Sequence, residues 1–245
     1  MRVFLNRADG SGLYQNRLAP QAIGVEASPH ATADFNNDGQ VDLCISATMS
    51  QSVWVLLGAG DGTFSSIVEV PVGGEPHGIA PLDVDGDGDI DVVNANVGSN
   101  NLALLLNNGS GTFAAPTYFG GGVNGEYGLA AADMNGDGIT DLVVGGRNGE
   151  EINTMLGNGN GTFTAAAMTR QDSGGSTWVV VVGDVNGDGV LDAAAANDGT
   201  GTIGVLIGQG NGTFAAPTLL TVGAHVPSTD LGDPTACSRS SCSRG

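Results

Sequence analysis

The sequence predicts an all-β fold, a β-propeller of four-stranded blades, and three observations predict it. An acidic nonapeptide recurs four times, opening at Asp34, Asp83, Asp133 and Asp184, with steps of 49, 50 and 51 residues. A second landmark, Gly-Thr-Phe, recurs at Gly62, Gly111, Gly161 and Gly212 with the same steps. Between the landmarks the apolar runs are of strand length, punctuated by Gly, Asn and Asp, and none is long enough for an ordinary helix. Four short strands per unit of about 50 residues is the blade of a propeller, and stacking blade on blade supplies the core that one blade lacks.

The elements follow in order. Residues 1–24 read as a half-blade, because Val3 to Tyr14 matches Val53 to Phe64, the second half of a repeat. Four whole blades follow at 25–74, 75–123, 124–173 and 174–223. Within each, one strand precedes the acidic loop (Ile79 to Leu82; Trp178 to Val182) and one follows it (Ile90 to Val93; Leu142 to Val144). A third precedes the Gly-rich turn (Val53 to Leu57; Leu102 to Leu106; Ile203 to Ile207), and a fourth follows Thr-Phe (Ala114 to Phe119; Ala215 to Val222). Residues 224–245 read as a broken repeat that starts around His225 and ends in an irregular tail. Four blades and a leading half make either a closed five-blade ring or an open arc.

Composition narrows the function. The 245 residues carry 26 acids against seven bases, all Arg, for a formal charge of −19. That balance argues against phosphate-backbone binding and against an anionic membrane surface, so no nucleic-acid partner is expected. No apolar run reaches the roughly 18 residues of a membrane span, so no membrane insertion is expected. The start, Met1 to Asn6, lacks a secretory pattern. Three Cys are too few for a disulfide scaffold; Cys44 reads as a packed small hydrophobe, while Cys237 and Cys242 lie in a Ser/Arg tail where pairing stays open.

The acidic motif carries the chemistry. It reads Asp-x-[Asp/Asn]-x-Asp-Gly-x-x-Asp. Side-chain oxygens at positions one, three, five and nine converge on one hard cation, the backbone carbonyl at seven adds a fifth ligand, and Gly at six permits the turn, which is the oxygen-only chemistry Ca²⁺ prefers. The candidate ligands are Asp34, Asn36, Asp38, Gln40 and Asp42; Asp83, Asp85, Asp87, Asp89 and Asp91; Asp133, Asn135, Asp137, Ile139 and Asp141; and Asp184, Asn186, Asp188, Val190 and Asp192. Ile139 and Val190 fit position seven only as backbone ligands. These loops hold fourteen of the 26 acids, and about four Ca²⁺ ions would account for much of the charge. The loop departs from a helix–loop–helix Ca²⁺ site after position nine. Position twelve, which there needs a bidentate Glu, is Ile45, Asn94, Val144 or Ala195.

Motif, spacing and Thr-Phe landmark together resemble the FG-GAP/VCBS-type repeat, the unit also found in integrin-α-like propellers, over about residues 1–223. The resemblance implies a Ca²⁺-bearing propeller with the ion in the loop joining the first and second strands, and a secreted or cell-surface location.

The expected function is a calcium-stabilised extracellular scaffold for protein or carbohydrate binding or adhesion, with Ca²⁺ structural. The alternative is the propeller part, non-catalytic or catalytic, of a larger secreted hydrolase or lyase. The chain itself is expected not to be an enzyme, since neither Gly-x-Ser-x-Gly nor His-Glu-x-x-His occurs. A candidate ligand ring lies on the face opposite the acidic loops; the alternative is that its Glu and His are solvated loop residues or strand-end hydrogen-bonders. The ring comprises Glu26/His30, Glu75/His77, Glu126/Tyr127 and Ser176/Thr177, together with the Arg147 loop and with the His residues at one recurring position. The Phe64, Phe113, Phe163 and Phe214 rings are expected to pack between blades.

Overall fold

A computed structural model of the chain describes residues 4–6, 14–16, 23, 26–166 and 171–223. Most of the leading half-blade, His225, Cys237, Cys242 and the tail at 224–245 lie outside the described residues.

The fold is all β. Strands β1 (Phe4–Asn6) and β2 (Tyr14–Asn16) form a two-stranded antiparallel ribbon. The first four-stranded sheet runs in the order β3 (Ala27–Ala33), β4 (Asp42–Ala47), β5 (Ser52–Gly58), β6 (Phe64–Pro71). The second contains β7 (Pro76–Leu82), β8 (Asp91–Asn96), β9 (Asn101–Leu105) and β10 (Thr117–Phe119). The third contains β11 (Glu126–Ala132), β12 (Asp141–Gly146), β13 (Glu151–Gly157) and β14 (Phe163–Ala165), with β15 (Gln171–Asp172) pairing β13 beyond β14. The fourth contains β16 (Ser176–Gly183), β17 (Asp192–Asp198), β18 (Thr202–Leu206) and β19 (Thr218–Thr221). Each sheet is an up-and-down meander, and the first strands β3, β7, β11 and β16 pack successively against one another. The arrangement is a propeller-like open arc of blades.

The fourth strands vary for a chemical reason. In the second and fourth sheets the stretch after Thr-Phe carries Pro116 and Pro217, which cannot donate to the ladder, and regular pairing resumes only at Thr117 and Thr218. The first sheet has no proline there, and β6 runs unbroken from Phe64 to Pro71.

The core lies between the sheets. One cluster joins the first and second sheets through Phe35, Val53, Val55, Val92 and Leu105. The second and third sheets meet through Val93, Leu102, Leu142 and Val144, and the third and fourth through Met134, Ile152, Leu206 and Phe214. Each fully buried Leu, Ile or Phe contributes roughly 1.5–3 kcal/mol relative to exposure. Phe113 packs edge-on against Phe35 of the preceding sheet with centroids 5.8 Å apart, and Phe163 stacks on Phe119 at 5.3 Å.

The Gly-rich hairpins between third and fourth strands are closed by side chains. The carboxylate of Asp61 accepts from the backbone N–H and hydroxyl of Thr63, and Asn160 and Asn211 serve Thr162 and Thr213 alike. These are Asx-type turns, which hold the chain without a regular ladder.

Candidate functional site

The four acidic loops join first to second strands, β3 to β4, β7 to β8, β11 to β12 and β16 to β17, and they repeat one hydrogen-bond plan. Position one gathers backbone donors. Asp34 accepts from Gly39 N at 2.7 Å, Asp83 from Gly86 N and Gly88 N at 2.8 and 3.0 Å, Asp133 from Gly136 N and Gly138 N at 2.7 and 2.8 Å, and Asp184 from Gly187 N and Gly189 N at 2.7 and 2.8 Å. Position five accepts from the N–H of position seven at 2.8 Å in every loop. Gly at position six has φ between +79° and +89°, the left-handed region that a side chain disfavours. Ile139 and Val190 at position seven lie closest to where a β-carbon on Gly159 or Gly210 would sit, so their side chains face the next hairpin and not the loop centre.

Position nine is anchored inside the blade. Asp42, Asp91, Asp141 and Asp192 are at most 1% exposed. One oxygen of each accepts from the N–H of position two (Phe35, Val84, Met134, Val185), the other from the N–H at or just beyond the end of the third strand (Gly58, Asn107, Gly157, Gly208). Burial pushes the Asp91 carboxyl up to about 6, against the pull of the Asn107 and Val84 N–H groups, with Asp85 and Asp87 adding repulsion. Asp42 and Asp141 shift upward from the same leading cause. At the exposed rim the balance reverses, and the Gly189 N–H and its neighbours hold Asp184 below the usual carboxylate range.

The loops differ at position three. Asn36, Asn135 and Asn186 each donate their amide to the position-five carboxylate at 2.9–3.0 Å. Asp85 has no such donor, and ligand oxygens of Asp83, Asp85 and Asp91 lie within 4.8 Å of one another. In this second loop the donor set fits a hard divalent cation: oxygen only, converging, and crowded with like charge that a cation would relieve; among the described residues the carboxylates of the other three loops do not converge in this way. Asp89 is drawn aside, accepting from Asn37 Nδ2 of the preceding loop at 2.8 Å.

A second feature lies at the other end of the first strands. Glu26, Glu75, His77, Tyr127 and Arg147, with Thr48, Met49 and Val97, line a cavity of about 450 Å³. Each first strand bulges near its start, between Ala27 and His30, Pro76 and Ile79, Glu126 and Gly128, Thr177 and Val179. The bulges place His77, Tyr127 and Trp178 at one register position, and the rings form a ladder. His77 stacks on Tyr127 at 3.6 Å and 17°, and Tyr127 meets Trp178 at 5.3 Å. The Arg147 guanidinium lies over both Tyr127 and Trp178, at 4.9 and 4.8 Å. Desolvation, with the Arg147 charge as a lesser cause, lowers the His77 imidazole to about 4.

This geometry corrects the sequence-predicted ring. His30 pairs with Ile45 while Ile79 pairs with the equivalent Asn94, so His30 corresponds to Ile79 and not to His77, and the two described histidines do not share a position. Glu126 is buried and accepts from Gly121 N at 3.1 Å, away from the cavity. Thr177 is buried against Ser173, and Ser176 donates to the Arg147 carbonyl. Trp178, Thr48, Met49 and Val97 were missed. The available signal was distance from the acidic loop: the residue six before position one is Ser28, His77, Tyr127 and Trp178 in turn.

Residues 34–94, 83–144 and 133–195 each match the FG-GAP-like repeat, every segment running from one acidic loop to three residues past the next. The chain belongs to the FG-GAP-like repeat family. Among solved structures this FG-GAP-like chain resembles an Agrocybe aegerita lectin specific for non-reducing terminal N-acetylglucosamine. Identity is 22% and the TM-score 0.60, over 91% of this chain and 61% of that one. It also resembles a functionally unknown protein of Desulfotomaculum acetoxidans DSM 771, at 12% identity and TM-score 0.61, over 86% of this chain and 61% of that one. The FG-GAP-like chain thus spans about three fifths of the length of these structures, and the likeness is one of fold. No curated protein matches it. Among the described residues no helix is long and apolar enough to cross a membrane.

Proposed function

We propose that this chain is a calcium-stabilised, non-catalytic scaffold that works outside the cell and presents its face opposite the acidic loops to a protein or carbohydrate ligand. The observation that carries the reading is the fourfold repetition of one oxygen-donor loop whose innermost carboxylate is buried and uncompensated by any positive side chain in the loop. Positions one, three, five and nine would hold the ion by side-chain oxygens and position seven by its carbonyl; the ion would supply the positive charge that the buried carboxylates lack. Sites of this kind have affinities of about 10⁻⁴–10⁻³ M in extracellular modules, which fits millimolar external Ca²⁺. At ten times the dissociation constant, each site stabilises the fold by about 1.4 kcal/mol. The non-catalytic reading rests on how the titratable groups are used: the innermost carboxylates are tied to backbone N–H groups, and His77 is held in a ring stack.

Thermal melting with millimolar Ca²⁺ and then with excess chelator tests the reading. A fall of many degrees on chelation supports it; coincident melts refute it.

A further inference from the structure

We propose that the Gly-rich hairpins of the second, third and fourth sheets are acceptors of N-linked glycans, at Asn108, Asn160 and Asn211. The inference rests on the extracellular part of the scaffold reading. It goes beyond that reading by assigning a covalent modification to the acidic-loop face.

Three asparagines stand two residues before Ser or Thr with no Pro between, in Asn108-Gly109-Ser110, Asn160-Gly161-Thr162 and Asn211-Gly212-Thr213. This triplet is the acceptor for N-glycosylation, and it has to lie on a surface loop. All three fall between a third and a fourth strand, and all three asparagines are exposed.

Their side chains present the reacting atom. Oδ1 of Asn160 accepts from the Thr162 N–H and hydroxyl at 3.2 and 2.6 Å. Oδ1 of Asn211 accepts from Thr213 at 3.0 and 2.6 Å, and Oδ1 of Asn108 from Ser110 at 3.1 and 2.6 Å. Each hydroxyl is therefore held on the oxygen side of the amide. Nδ2 of all three has no hydrogen bond among the described residues. Other asparagine amides are engaged. Asn37 donates to Asp89, Asn94 to Ser46, Asn107 to the Phe35 carbonyl and Asn153 to the Gly121 carbonyl. None of those four begins an acceptor triplet.

The turn by itself does not call for an amide. Asp61 closes the first hairpin through the same two bonds to Thr63 with no nitrogen in its side chain. One oxygen suffices, and attachment at Nδ2 leaves that oxygen in place, so the modified hairpin keeps its closure. In the transfer, Nδ2 attacks the anomeric carbon of an oligosaccharide carried on a polyprenyl pyrophosphate. A C–N bond forms and the C–O bond to the pyrophosphate breaks. The polyprenyl pyrophosphate leaves with the electron pair, Nδ2 gives up one proton, and nothing is oxidised or reduced. A transferase of the secretory route catalyses the step.

The hairpins bond to the acidic loops of the sheets before them, through Gly111, Gly161 and Gly212. The cavity lined by Glu75, His77 and Arg147 lies at the other end of the first strands. Glycans on these hairpins fringe the acidic loops and leave that opposite face open to a ligand.

The test is production of the full chain behind a cleavable secretion signal in a eukaryotic host, with peptide mass mapping of the product from cells and medium. Mapping is repeated after peptide N-glycosidase, which releases the glycan and leaves Asp. Glycan mass is expected at Asn108, Asn160 and Asn211, and the triple variant Asn108→Asp/Asn160→Asp/Asn211→Asp is expected to lose all of it. The enzymatically stripped parent and this variant are the same covalent chain, so coincident melts show that the variant folds. Stripping is expected to leave the NMR signals of the His77 imidazole and Trp178 indole unmoved; movement overturns the placement on the acidic face. A site that stays unmodified overturns the assignment of its hairpin. Glycan found elsewhere in place of these sites, or kept by the triple variant, overturns the whole. Melts of the same product with Ca²⁺ and with chelator keep the two readings apart. Unmodified asparagines with a chelation-sensitive melt sink the glycan assignment and leave the calcium reading standing; glycan present with coincident melts does the reverse.

Discussion

The backbone N–H of Gly111 donates to the carbonyl of Phe35 at 2.8 Å, joining the Gly-Thr-Phe hairpin of one blade to the acidic loop of the blade before it. Gly161 reaches Val84 and Gly212 reaches Met134 in the same way, at 2.8 and 3.2 Å. Asn107 adds a second bond to the Phe35 carbonyl at 2.7 Å. The two sequence landmarks keep one period because they touch across each of the three junctions between the four described sheets: a change in spacing within one repeat would pull the hairpin away from its loop.

The hairpin glycines should respond to alanine unequally. Gly111 and Gly161 share a left-handed backbone, at φ +72° and +80°. A β-carbon on Gly111 would lie 2.8 Å from Leu57 Cδ2, whereas one on Gly161 meets nothing closer than 3.9 Å. Gly161→Ala should cost about 1 kcal/mol from backbone strain alone. Gly111→Ala should cost more, because Leu57 must shift as well. Denaturant unfolding of both variants measures the difference; equal losses would show that Leu57 yields freely.

Asp85→Asn should act in opposite directions with and without calcium. In the other loops the position-three amide donates to the position-five carboxylate, and an amide at 85 could do the same to Asp87. It also removes one charge from the Asp83, Asp85 and Asp91 cluster. The chelated variant should melt above the chelated parent by roughly 2–4 °C, the effect of about 1 kcal/mol in a chain of this size. The gain on adding Ca²⁺ should shrink, because a carboxylate ligand has become an amide. Melting curves in chelator and in Ca²⁺ give both signs from one pair of proteins.

The acidic loops, the hairpin landmark and the four-strand unit were legible because each rests on a short motif with fixed spacing. The pairing of His30 with His77 went astray because it matched letters. His30 stands four residues before Asp34 and His77 six before Asp83, and the bulge between Pro76 and Ile79 turns that offset into a different place on the strand. The ladder was harder to see because its members, His77, Tyr127 and Trp178, share a ring and a register but no side-chain identity. Nor could the motif show that Asp42, Asp91, Asp141 and Asp192 hold two backbone donors apiece, since one donor of each pair comes from a strand end sixteen residues onward.

Acid should weaken the fold through His77. Its imidazole protonates near 6.5 in the unfolded chain and near 4 in the fold. Between those values the unfolded chain binds more protons, so the contribution of His77 is fully present above about 6.5 and is lost as the pH falls toward 4. Asp91 has the opposite sign: its folded carboxyl titrates near 6, so protonation of the cation-free loop favours the fold as the pH falls through that value. His77→Phe keeps a ring in the stack and removes only the imidazole. In chelator, its melting temperature should fall less than the parent's between pH 7 and 4; parallel curves would contradict the assignment.

Arg147→Met separates the two causes that act on His77. The guanidinium lies over Tyr127 and Trp178 and lowers the His77 pKa by its charge, but desolvation is the larger cause. Met retains an apolar stem without the charge. The His77 midpoint, followed by its imidazole proton signals, should therefore rise from about 4 yet stay below 6.5. Loss of the cation–π contacts should cost about 1 kcal/mol at this half-buried position and should change the fluorescence of Trp178. A midpoint that does not move would mean that burial alone sets the imidazole, and one that reaches 6.5 would mean that the cavity is wetter than its stacked rings imply.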